Sequence, residues 1–109
     1  MRKTDKKIDN ALRAALTEAC EIALENYDGF EWLTHFVNYN DFPGSLKVVC
    51  IYDTNARLEK TDKQAVRSLI REKLASIAIN MKDSRQQISF DTEENCSREN
   101  GGKWNERFR

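Results

Sequence analysis

Residues 46–55 read LKVVCIYDTN and residues 87–92 read QISFDT. Each is a run of apolar and β-branched residues that ends in Asp-Thr, at Asp53-Thr54 and at Asp91-Thr92. How these two strands lie relative to one another decides the fold. Parallel neighbours need a crossover, and residues between the two runs supply a helical one. Val66, Leu69, Ile70, Leu74, Ile77, Ala78 and Met81 recur at helical spacing behind a T-x-x-Q capping pattern at Thr61 and Gln64. The spacing predicts a helix from about Thr61 to about Lys82. If the strands are parallel, the crossover is right-handed and Asp53 and Asp91 share one rim of the sheet.

Upstream, Ile8, Leu12, Ala15, Leu16, Ala19, Cys20, Ala23 and Tyr27 recur at three- and four-residue steps from Thr4 onward. This is an amphipathic helix of about six turns, stopped by Asn26, Asp28 and Gly29. FEWLTHFVNY (30–39) then carries apolar residues on both alternating sets, with Phe30, Trp32 and Phe36 on one and Leu33, Val37 and Tyr39 on the other. That pattern predicts an interior strand. The turn NDFPGS is short, so the strand resuming at Leu46 pairs antiparallel with it. The expected fold class is α+β, a two-layer α-β-β-α-β domain with both helices on one face of a small mixed sheet, plus a C-terminal tail.

At 109 residues the chain is one domain by size. The core is expected over residues 1–92, followed by a polar connector and tail over 93–109. Residues 93–103 lack apolar periodicity, Gly101-Gly102 offers a turn, and Trp104 and Phe108, four apart, would dock a last segment on the body. Eighteen Lys and Arg balance eighteen Asp and Glu, so no global field draws the chain to nucleic acid or to anionic lipid. No apolar span of membrane length or signal-peptide pattern is visible, which makes the expected compartment the cytoplasm. Cys20, Cys50 and Cys96 are odd in number and widely spaced, so they read as free thiols rather than as a disulfide framework or zinc site. No cofactor motif stands out; Gly101-Gly102-Lys103 lacks the spacing of a phosphate loop.

RKTDKKIDNALRAALTEACEIAL together with GFEWLTHFVNYNDFPGSLKVVCIYDTN resembles a group of small uncharacterised gammaproteobacterial proteins, some of them labelled Fis-family transcriptional regulators. The resemblance covers roughly the first half of the chain, implies a bacterial regulator, and brings no catalytic motif with it. Where Fis proper places a helix-turn-helix, this chain has SFDTEENCSRENGGKWNERFR, so no residue carries over as a DNA contact.

Three constellations bear on chemistry. Asp53 and Asp91, with Glu93 or Glu94, would hold magnesium or manganese if they converge within a few ångströms, and the competing reading gives each Asp an Asx-type turn after its strand. Arg98, Lys103, Arg107 and Arg109, interleaved with Trp104 and Phe108, form the one basic-aromatic segment, suited either to nucleic acid or to packing of the terminus. His35, the sole histidine, is a general acid-base candidate or a packed side chain. Leu33, Val37, Val49 and Ile51 would form the sheet face left open by the helices, and such a face favours self-association. The expected function is therefore a small non-catalytic interaction or regulatory protein that forms a homodimer. The alternatives are a nucleic-acid-binding regulator and a metal-dependent phosphoester enzyme using Asp53 and Asp91.

Overall fold

The computed structural model describes residues 2–109. Among them the chain runs α1 (Lys3–Asn26), β1 (Phe30–Phe36), a 3-10 turn (Tyr39–Asp41), β2 (Lys47–Tyr52), α2 (Asn55–Lys60), α3 (Lys63–Ala75), α4 (Ser84–Gln87), β3 (Ile88–Thr92), α5 (Glu93–Asn100) and α6 (Trp104–Arg107). The strands form one mixed sheet in the order β1-β2-β3, with β1 antiparallel to β2 and β2 parallel to β3. This is an α+β fold with helices packed on the sheet. The crossover between the parallel strands is made by α2, α3 and the short α4.

Alternation along β2 divides the molecule into two apolar regions. Val48, Cys50 and Tyr52 face α1 and α3, where Leu12, Leu16, Ala19 and Ala23 meet Val66, Ile70 and Leu74 in the main core. Val49 and Ile51 point to the opposite face, and Ile51 is as fully buried there as the core residues are. The C-terminal segment covers that second face. Trp104 packs edge-on against Trp32 with ring centroids 5.1 Å apart, and Phe108 packs on Phe36 at the same separation.

Four local readings change in the structure. β1 is an edge strand; its two apolar faces are covered by α1 and by α6 while one backbone edge stays unpaired. The register also slips between Phe30 and Trp32, pairing Phe30 with Tyr52 and Trp32 with Ile51. This bulge turns Phe30 into the main core, edge-on to Tyr52, and leaves Trp32 on the second face. The long helix expected to reach Lys82 ends at Ala75, where Ala78 takes a left-handed φ of 62° and the Ile79 amide returns to the Leu74 carbonyl at 2.9 Å. Its cap is Asp62, which accepts from the Ala65 amide, while Thr61 ends α2 and pairs its hydroxyl with that of Tyr52.

The fourth change concerns residues 93–100, expected as a polar connector and found as helix α5. Thr92 caps its start by accepting from the Asn95 amide, Glu93 and Glu94 lie in the first turn, and Gly101 closes it at a φ of 61°. Helix formation here is fixed by its ends, since Cys96 is its one buried residue.

Candidate functional site

The two Asp-Thr pairs do share a rim. In the parallel ladder Ile51 pairs with Asp91 and Tyr52 with Thr92, so both strands finish side by side. Each Asp accepts from the amide that follows it, and each Thr is the cap of the next helix, Thr54 for α2 and Thr92 for α5. Asn55 joins the two caps: its side chain donates to Asn95 at 2.7 Å and accepts from the Thr92 hydroxyl, also at 2.7 Å. Glu94 closes the link, accepting from the Asn55 amide with its carboxylate and donating its own amide to the Asp53 carbonyl.

The carboxylates on this rim are all engaged. Asp53 pairs with Arg57 at 2.7 Å. Asp91 is held by two nitrogens of Arg107, whose third nitrogen binds Glu99 and Asn100. Burial acts to raise the Asp91 carboxyl, but Arg107, the Thr92 amide and Asn95 outweigh it and keep it below the ordinary carboxylate range. Glu93 accepts from both indole N–H groups, Trp32 at 2.7 Å and Trp104 at 3.1 Å. Among the described residues, no group of three or more His, Cys, Asp or Glu side chains is arranged to hold a metal ion. The rim is a structural junction that splices two helix starts and docks the tail.

The basic-aromatic segment is divided in the same way. Arg107, Trp104 and Phe108 are committed to Asp91, Glu93 and the β1 aromatics, and Arg98 donates to Asn95 at 2.8 Å. Lys103 and Arg109 are exposed. Base stacking on Trp104 or Phe108 would require undocking them from the sheet.

A groove of about 760 Å³ opens between α1 and β1. Leu16, Cys20, Leu33 and Val37 line its apolar part, and Asp9, Arg13, His35 and Tyr39 line its polar part. Asp9 accepts from the Tyr39 hydroxyl at 2.6 Å and from Arg13 at 2.8 Å, which lowers its carboxyl below the usual range. Burial, and then Asp9, push Tyr39 up to about 12. Burial, and then Arg13, hold His35 below the ordinary histidine value, so it is neutral at pH 7. The thiols of Cys20, Cys50 and Cys96 are all pushed up by burial and carry no thiolate at neutral pH.

The four residues expected on a common open face are therefore divided. Leu33 and Val37 pack on the main-core side beside the groove, whereas Val49 and Ile51 lie beneath the C-terminal segment. Sequence spacing missed the groove because it depends on how far α1 stands off β1. No helix among the described residues is long and apolar enough to cross a membrane. No family model, curated protein or solved structure matches this chain.

Proposed function

We propose that the protein is a small non-catalytic interaction module of the bacterial cytoplasm that works as a homodimer, joined through the free edge of β1 and the groove beside it. One contrast between the two sheet edges carries the reading. At β3 Arg67 covers part of the edge, its Nε reaching the Ile88 carbonyl at 3.4 Å while its guanidinium lies 5.0 Å over the Phe90 ring. On β1 no charged side chain hydrogen-bonds the strand backbone among the described residues; the neighbour of the Leu33 amide is the Cys20 thiol, a much weaker partner. An unpaired edge beside apolar surface is the element that strand addition uses.

The engagement of Asp53, Asp91 and Glu93 in ion pairs and indole contacts favours this reading over a phosphoester enzyme. The docking of Arg107 and Trp104 favours it over nucleic-acid contact by the tail. Size-exclusion chromatography with light scattering over a wide concentration range tests it. A reversible dimer is expected, and a strict monomer at high concentration would remove the reading.

A further inference from the structure

Resting on that reading, we propose that two copies join their sheets antiparallel about a two-fold axis through Leu33, setting Glu31 of each protomer against His35 of the partner subunit and producing one six-stranded sheet.

The sequence of β1 is the first support. In FEWLTHF (30–36) Glu31 and His35 stand two residues to either side of Leu33, an acidic and an imidazole side chain placed symmetrically about the strand centre. Antiparallel pairing of a strand with its own copy places residues i and j opposite one another when their numbers sum to a constant, here twice 33. A carboxylate then meets an imidazole that donates to it, a cross-strand pairing that stabilises antiparallel ladders. A closed two-fold contact needs this self-complementarity, because each half of the patch must fit the other.

Backbone direction is the second support. Amides alternate between the two sides of a strand; with the Asp53 amide on the Gly29 carbonyl and one extra residue inserted before the Trp32–Ile51 pair, Leu33 falls on the outward-facing step, in keeping with the effect of its amide on the Cys20 thiol. Leu33 is thus a residue whose N–H and C=O point out of the sheet edge, as an on-axis hydrogen-bonded pair requires. The Cys20 sulfur is a weak acceptor that a partner carbonyl would replace.

The bulge sets the length of the shared ladder. Regular pairing of β1 begins at Trp32, so Glu31 sits at its margin, exposed and free to reach across. On the groove side, the apolar floors made by Leu16, Cys20 and Leu33 from both copies become continuous across the axis. A two-fold contact closes on itself, and at the other edge of the sheet Arg67 on the Ile88 carbonyl disfavours further strand addition, which keeps the assembly at two copies.

Sedimentation equilibrium on the full chain and on charge variants tests the register. His35→Glu sets like charges against each other at two symmetric places and is expected to weaken the dimer about tenfold or more. Adding Glu31→Lys to it restores attraction and should bring the constant back close to that of the unaltered chain. A second variant guards against a folding effect: Cys20→Ala with Leu33→Cys should form an intermolecular disulfide on mild oxidation, since on-axis Cα atoms about 5.5 Å apart suit that bond. A dimer that ignores His35→Glu and gives no crosslink at residue 33 would overturn the register while leaving self-association standing. A wild-type chain that never dimerises would overturn both.

Discussion

Gly29 links α1 to β1 with a φ of 85°, a conformation that costs any residue with a Cβ. A methyl group there would lie 2.7 Å from an Asp53 carboxylate oxygen and 2.8 Å from Arg57 Cβ. The Gly29 carbonyl also accepts from the Asp53 amide at 2.8 Å, so the turn cannot drift away from the pair. Gly29→Ala is expected to cost about 1–3 kcal/mol from strained backbone and displacement of the Asp53–Arg57 pair. Gly44→Ala is the control: its backbone angle is ordinary and the nearest atom stands 3.6 Å away, so its effect should stay within about 0.5 kcal/mol. Equal melting-curve shifts for the two variants would contradict this account.

At the scale of elements, the end of α3 shows a helix stopping without its usual residue. Ala78 occupies the left-handed position of a Schellman-type closure, with its own amide on the Ala75 carbonyl and that of Ile79 on the Leu74 carbonyl. Ala78→Gly removes the Cβ penalty and is expected to stabilise the fold by about 0.5–1 kcal/mol in urea denaturation; a loss of stability would refute it. The same position explains what was hard to read in the sequence. Ile77, Ala78 and Met81 continue the helical period, and the left-handed position holds alanine instead of glycine or asparagine, so periodicity alone carries the helix too far. Helix α5 was hidden for the converse reason: it buries little, and its signal lies in Thr92, the acidic first turn and Gly101. The core faces of α1 and α3 were legible because they rest on dense apolar repeats, and the antiparallel pairing of β1 with β2 because the NDFPGS turn between them is short. The partners of the candidate site were not, since Trp32 meets Glu93 across 61 positions and Arg107 meets Asp91 across 16.

For the whole molecule, the decisive arrangement is that both sheet faces are occupied, one by α1 and α3 and the other by the last helical turn. The Asp91–Arg107 pair anchors that turn, and its two side chains are 18% and 19% exposed. Because the folded carboxyl is depressed, its contribution is complete above the unfolded value of about 3.9 and is lost as pH falls through the lower folded value. Asp91→Asn should therefore lower stability at pH 7 by about 1–3 kcal/mol and lose less than the wild type between pH 7 and pH 3. Circular dichroism melts at the two pH values read this directly, and parallel acid losses in the two proteins would refute the anchor.

The chain has two tryptophans, and both sit in the one contact bridged by Glu93. Indoles 5.1 Å apart and nearly perpendicular have coupled electronic transitions. The protein thus carries its own optical gauge: near-ultraviolet dichroism and indole emission both report whether the C-terminus is seated on the sheet.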